Sequence, residues 1–427
     1  MSPPPDRLTP RQWEIVLLIA AVQFVNILDF VIVMPLGPDF AKALGVPESH
    51  LGYVGGAYTA AACVAGLAGS FFLDRFDRRK ALAVSLLGLV IGTAAGGFAV
   101  DLPTLLAARI VAGAFGGPAT SLSFSIIADA IPSQLRGRAM GTVMGAFSLA
   151  AVVGVPAGLW LAEAFSWRAP FLGVALVGLL VGAAAIRFIP PMTGHLQAGP
   201  HSASNDPQVV LTMLGNPLVQ LSYLMTIVVM MAGFVLIPNI AAYLQLNLGF
   251  PRSGIKYAYG VGGLASLLAT QLGGRAVDKF GSFRVGTIGA LMVIAVVYAF
   301  FYLPHRDVST ALVLVVFVLF MVANGLRNVS YNTLTTKVPE PAVRARFQSF
   351  QSAAQHGASA VAAITSAQIL TTVVIPAHDG APAQSRLEGM PQVALVCMGL
   401  SLVVPVMLFV VERGVRSRAA AVAQQPT

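Results

Sequence analysis

The sequence predicts an all-α membrane protein, with twelve transmembrane helices in two pseudo-symmetric six-helix halves. Three observations carry that expectation. The 427-residue chain is 56% hydrophobic and only 10% charged, against roughly a quarter charged in a soluble domain, and its mean hydropathy is +0.79. Its apolar residues gather into twelve runs, most close to the ~20 residues that cross a bilayer core. A polar connection divides those runs six and six, and a loop motif recurs on either side of it.

Composition excludes other classes. Disorder requires low hydrophobicity and high charge. The 26 Lys and Arg exceed the 17 Asp and Glu, a net charge of +9. Those cations are dispersed between apolar stretches rather than gathered on one patch, so nucleic acid is not an expected partner. Cys63 and Cys397 both stand in apolar runs and imply no disulfide framework.

The runs cover residues 13–38, 51–73, 80–99, 103–128, 138–163 and 169–189, then 217–243, 252–274, 284–303, 309–334, 346–375 and 391–411. They are numbered here as spans one to twelve. The first is too long for a cleaved leader and is interrupted by Asp29. Cations set the orientation. With the N-terminus inside, 18 Lys and Arg lie on the inner side, in loops or at span ends, and 6 on the outer side, while Arg109 and Arg327 fall well within spans. Both termini are therefore expected in the cytoplasm. The predicted organisation is a first half at 1–189, a cytoplasmic linker at 190–216, and a second half at 217–427 that ends in a short basic tail.

The halves share a repeat. Gly69, Asp74, Arg75 and Phe76, closed by Lys80, follow span two; Gly273, Asp278, Lys279 and Phe280, closed by Arg284, follow span eight, at a constant offset of 204. Arg136 and Arg138 before span five match Arg344 and Arg346 before span eleven at an offset of 208. Any inner loop collects cations, but that does not explain the acids or the shared register.

These motifs resemble those of the major facilitator superfamily. The loop Gly69 to Lys80, which includes Arg78 and Arg79, looks like its signature loop. Leu28-Asp29-Phe30, continuing to Pro35, is similar to the first-span motif of proton-coupled drug exporters, and Arg109 to Gly113 resembles their fourth-span motif. Gly154-Val155-Pro156-Ala157-Gly158, followed by Trp167 to Phe171, is like the fifth span of arabinose-efflux-type permeases. Val155 stands where that motif usually has Gly. The resemblance implies two halves rocking in alternating access, in a bacterial inner membrane, with a small-molecule substrate, protons and the lipid bilayer as partners. It implies a monomer.

Charges within a bilayer are costly and mark function by default. Asp29 lies roughly 13 Å and Arg109 about 9 Å below the outer surface at 1.5 Å per residue. They are expected to face one another across a central cavity. The guanidinium favours an ionised Asp29 and desolvation a neutral one, a balance that suits proton coupling; a static helix–helix ion pair is the bland alternative.

Gln23, Asn26, Asp29 and Phe30 form a strip on span one. Asn324, Arg327, Asn328 and Tyr331 form another on span ten, and Gln351, Gln355 and His356 a third on span eleven. Their spacings of three and four put each set on one helix face. They are candidate cavity residues, or else interhelical hydrogen-bonding groups.

By the family's pattern, Asp74 clasps span eleven and Asp278 span five. Arg75, Arg78, Arg79, Arg136, Arg138, Lys279, Arg344 and Arg346 surround these cytoplasmic gates. Gly154, Pro156 and Gly158 read as a hinge in span five. No cofactor, metal or enzymatic activity is expected: there is neither a His-Glu-x-x-His run nor a phosphate-binding Gly-rich loop ending in Lys and Ser or Thr. The reading is proton-coupled efflux of small amphipathic or sugar-like molecules. A proton-independent facilitator or lysolipid-type transporter is the alternative.

Overall fold

The computed structural model describes residues 8–132, 135–193, 207–303, 308–340, 343–375 and 384–423. Contacts divide it into two compact units: Met1–Val46 with Ala57–Ser202, and Pro47–Gly56 with Ala203–Thr427. The start of span two therefore groups with the second unit. Within the 190–216 connection the described residues include one helix, Pro207–Gly215.

In the first unit, span one is the helix Pro10–Ile32. Thr9 starts it with a reciprocal cap: its hydroxyl accepts from Gln12 N, and Gln12 Oε1 accepts from Thr9 N at 2.9 Å. Pro35 supplies no amide to continue the ladder, so the run predicted to 38 breaks, and a short helix Gly37–Leu44 follows. Span two is Leu51–Phe72, span three Arg78–Gly97, span four Leu102–Ala130 and span six Ala169–Phe188. Asp101 caps span four, and the hydroxyl and amide of Thr104 hold its carboxyl below the usual carboxylate range.

Span five is a composite. Arg136–Leu149 runs into a π-turn at Ala150–Gly154 and resumes as Val155–Ala164. The break coincides with Pro156, which has no amide to donate to the preceding turn.

In the second unit span seven is Pro217–Phe234, prolonged by Ile240–Leu246 after a 3₁₀ turn. Span eight is Arg252–Phe280, span nine Ser282–Val297 with a π-turn at Tyr298–Tyr302, and span ten Thr310–Thr335. Span eleven is Arg344–Ile369 and span twelve Met390–Ala423. The run 346–375 predicts a helix to its end, but Thr371–Ile375 is instead a strand, paired antiparallel with Gln384–Glu388. Thr-Thr-Val-Val-Ile is β-branched throughout, which disfavours helix and suits a strand.

The two units repeat one packing plan. Span three lies on spans four and six and span one on spans five and six; span nine lies on ten and twelve and span seven on eleven and twelve. Among the described residues ten helical segments are long and apolar enough to cross a membrane. Spans eight and eleven complete the twelve. They have 29 and 26 residues, at least about 39 Å at the helical rise, but are less apolar because they carry Lys256, Gln271 and Arg275, and Gln348, Gln351, Gln355 and His356.

Glycines set the closest approach in the first unit. A Cβ on Gly113 would collide with the Tyr58 backbone, and one on Gly117 with the Ala62 carbonyl. Gly141 on span five faces open space. Gly113→Ala should therefore destabilise by about 1–3 kcal/mol through overpacking, whereas Gly141→Ala should stabilise by up to about 1 kcal/mol. Thermal unfolding of the detergent-purified variants checks this; an unshifted Gly113→Ala midpoint counts against the packing described.

Candidate functional site

The end of span one builds the site. Asp29 lies in its last turn, where main-chain carbonyls lack helical partners. It presents a carboxylate and a free carbonyl together, and Arg109 of span four takes both. Arg109 Nη1 is 3.0 Å from each Asp29 carboxylate oxygen, and Nη2 donates to the Asp29 carbonyl at 3.3 Å. Thr93 of span three places its hydroxyl 2.8 Å from Asp29 Oδ1 and 2.8 Å from the Leu89 carbonyl. A hydroxyl has one proton, so it serves one of these acceptors at a time.

The guanidinium also covers a ring. Arg109 Cζ stands 4.5 Å from the centroid of Tyr58 on span two, a cation–π contact strengthened by desolvation. Tyr58 Oη donates to Asn26 Oδ1 at 2.6 Å, and Asn26 Nδ2 donates to the Gly116 carbonyl and to Thr120 Oγ1 at 2.9 and 2.7 Å. Phe30 stacks on Tyr58 at 5.3 Å. Four spans thus meet in one polar network. Asp29 is 0% and Arg109 1% exposed. The expectation of two charges facing one another across a central cavity is corrected here: they are in direct, sealed contact, because Gly113 and Gly116 let span four close onto Tyr58 and Asn26.

The second unit gathers a different set. Arg327 on span ten is 1% exposed. Its Nη2 donates to Asn324 Oδ1 at 2.7 Å and its Nη1 reaches Ser401 Oγ on span twelve at 3.5 Å. Among the described residues no carboxylate lies within ion-pair distance of it. Gln355 donates to Tyr331 Oη at 3.1 Å and Gln351 to Thr335 Oγ1 at 3.0 Å. His356 Nδ1 stands 2.8 Å from the Ser352 carbonyl, which can only accept, so Nδ1 carries the proton. Gln23 Oε1, Asn328 Oδ1 and Gln351 Oε1 are buried and have no hydrogen-bond partner among the described residues.

Several candidate gate residues hold their own unit together. Arg78 Nε pairs with Asp129 Oδ2 at 2.7 Å. Asp77 caps span three and also accepts from Met192 N, while Arg79 reaches the carbonyls of Ile186 and Ile189 at the end of span six. Arg136 Nε donates to the Ile131 carbonyl. Gly69 packs against the Leu73 side chain. Arg75 and Arg138 are exposed, Arg346 is half-buried, and Lys279 lies over the Phe280 ring at 5.2 Å. The side chains of Asp74 and Arg344 lie outside the described set. In span five, a Cβ on Gly154 would press on Leu28 and one on Gly158 on Ile32, so both glycines seat the segment of span one that carries Asp29.

Sequence reasoning missed Tyr58, Thr93 and Thr120. Tyr58 had a signal, as the one large polar side chain in Gly55-Gly56-Ala57-Tyr58. Lone hydroxyls such as Thr93 are too common in membrane helices to stand out. Removing one partner of a buried pair strands the other charge, so Arg109→Met should destabilise by about 3–5 kcal/mol, and adding Asp29→Asn should recover much of that loss. Thermal unfolding of both single variants and the double variant reads this; additive losses count against a direct pair.

The profile of the Major Facilitator Superfamily matches residues 19–363. The chain is 26% identical over 295 residues to the purine ribonucleoside efflux pump NepI of Escherichia coli K12, covering 68% of this chain and 71% of that one. It is 26% identical over 261 residues to a chloramphenicol resistance protein of Streptomyces lividans, covering 61% of this chain and 65% of the relative, just under two thirds of its length. Among solved structures, a D-xylose-proton symporter superposes with a TM-score of 0.71 at 18% identity, over 93% of this chain and 97% of that one. A bacterial homologue of the human lysosomal transporter Spinster, in an inward-facing unoccupied conformation, gives 0.67 at 17%, over 96% and 97%. These similarities span both six-helix units, and the chain belongs to the Major Facilitator Superfamily of multi-pass membrane transporters.

Proposed function

We propose that this transporter is a proton-coupled exporter of small amphipathic or sugar-like molecules, with Asp29 as the proton-accepting group and Arg109 as its counter-charge. The observation that carries the reading is the sealed Asp29–Arg109 pair, with Thr93 on one carboxylate oxygen. A buried pair contributes little net stability because desolvation offsets its Coulomb gain. A modest rearrangement can therefore trade the ion pair for a protonated acid. The similarity to a protein named as an efflux pump and to one named as a chloramphenicol resistance protein supports export over uptake.

In this reading the chain acts as a monomer in a bacterial inner membrane with both termini cytoplasmic, as the 18 inner against 6 outer cations favour. Asn324, Asn328, Tyr331, Gln351, Gln355 and His356 contribute to substrate contacts from the second half, and Gln23, Asn26 and Phe30 from the first. The loops after spans two and eight act as gates around Asp74 and Asp278, and Gly154, Pro156 and Gly158 act as the hinge.

In vesicles reconstituted with purified protein, Asp29→Asn should abolish substrate movement driven by an imposed pH gradient while leaving exchange down a substrate gradient measurable. Undiminished pH-driven transport by that variant sinks the coupling role. Equal wild-type rates with and without the gradient establish the facilitator alternative. For the gates, Asp74→Asn should raise labelling of single cysteines placed at the cytoplasmic ends of spans two and eleven. An unchanged labelling pattern removes the gate assignment.

A further inference from the structure

A cavity of about 970 Å³ opens at the end of the second unit where spans eight, nine, ten and twelve meet. It lies beyond the buried clusters described above. Five cations line it, Lys279, Arg284, Lys337, Arg413 and Arg416, against two acids, Asp278 and Glu412, a surplus of three positive charges. Glu412 is already engaged. Its Oε2 accepts from Phe283 N at the start of span nine at 2.5 Å, and its Oε1 pairs with Arg416. Gly281 makes this possible: it adopts φ +89°, and a Cβ there would come 2.6 Å from Glu412 Oε1. The remaining cations, Lys279, Arg284, Lys337 and Arg413, are all exposed.

Part of the lining is apolar. Phe280, Phe283 and Phe409 line the same cavity, with the Phe283 and Phe409 rings edge-on at 5.3 Å. Phe409 continues a stripe of exposed residues along span twelve through Val406 and Leu402. Spacings of three and four keep these on one helix face, and an apolar face left open on a membrane helix is a lipid-facing face. A cationic pocket at the end of such a stripe matches one amphiphile in both charge and shape.

We propose that this cavity binds the phosphate headgroup of an anionic phospholipid, with Lys279, Arg284, Lys337 and Arg413 around the phosphate and the acyl chains laid along Phe409, Val406 and Leu402. Basic pockets between transmembrane helices are suited to such headgroups. A freely soluble anion would gain from the cations but not from the stripe. The site depends only on the chain crossing a bilayer, and its readout is lipid binding rather than transport, so the proton-coupling reading can fail without touching it.

Native mass spectrometry of the full-length, detergent-purified protein titrated with phosphatidylglycerol or phosphatidylcholine tests the site. Phosphatidylglycerol should bind at least about tenfold more tightly. The double variant Lys337→Gln with Arg413→Gln should weaken it about thirtyfold, at roughly one kcal/mol per cation. The charge-retaining double variant Lys337→Arg with Arg413→Lys should keep the preference. Should the glutamine variant not fold, salt decides on the wild type: the preference should collapse between 0.1 and 1 M, where the screening length falls from about 10 to about 3 Å. Equal binding of the two lipids, a preference indifferent to the variants or to salt, or displacement of phosphatidylglycerol by millimolar pyrophosphate would overturn the proposal.

Discussion

The first unit is organised by the requirement that one buried carboxylate and one buried guanidinium satisfy each other. Neither Asp29 nor Arg109 has water to turn to, and an isolated charge in such a place costs several kcal/mol. Everything nearby serves their meeting. Span one stops at Ile32 so that the Asp29 carbonyl is free for Nη2. Gly113, Gly116 and Gly117 remove side chains from the face of span four that must press against Tyr58 and Ala62. Tyr58 supplies a ring to the cation and hands its hydroxyl proton to Asn26, which is held in turn by Gly116 and Thr120. Breaking any of these contacts leaves a polar group unpaired in a medium of low dielectric, where such a loss is most expensive.

The second unit keeps the helical plan of the first but not its chemistry. Carrying the loop offset of 204 into the helices places Gly233 at the position of Asp29. A Cβ on Gly233 would sit 3.4 Å from Arg327 Nη2. Where the first unit sets an acid on span one, the second has no side chain on span seven, and its buried cation is met by neutral oxygens from Asn324 and Ser401. Neutral acceptors compensate a guanidinium less well than a carboxylate does. The repeat therefore governs which helices touch, while side chains within it diverged to give one unit a carboxylate–guanidinium pair and the other a guanidinium among neutral oxygens.

Much of this was legible in the residues. Asp29, Arg109 and Arg327 stand out because charge is rare in apolar runs, and spacings of three and four placed their neighbours on common faces. The partners were harder to see. Thr93 and Thr120 are ordinary hydroxyls until the fold brings them to an acid and an amide. Helix ends were misjudged wherever hydropathy was followed past a local signal: Pro35 stops span one, and the β-branched run Thr371–Ile375 leaves span eleven as a strand. The π-turn at Ala150–Gly154 has no compositional signature beyond Pro156. Arg78 and Arg79 carry a gate motif, yet their visible bonds to Asp129, Ile186 and Ile189 are internal to one unit. A motif names residues without naming their partners.

The elements that bound the sealed pair hold it in different ways. Span one near Asp29 rests through Leu28 and Ile32 on Gly154 and Gly158 of span five, a contact of aliphatic side chains on bare backbone. Leu28 and Ile32 are aliphatic, so this contact itself involves no side-chain hydrogen bond. The same stretch of span five carries the π-turn and Pro156, where the helical ladder is already interrupted and bending meets the least resistance. By contrast, span one is locked to spans two and four by Asn26, which bonds Tyr58, Gly116 and Thr120, and spans two and four by the cation–π contact. Span one thus meets span five through aliphatic contacts and span four through hydrogen bonds and the ion pair. Separating Asp29 from Arg109 therefore also requires the bonds of Asn26 to Gly116 and Thr120 to open, while Thr93, with its one proton shared between Asp29 and the Leu89 carbonyl, is free to turn back to its own helix.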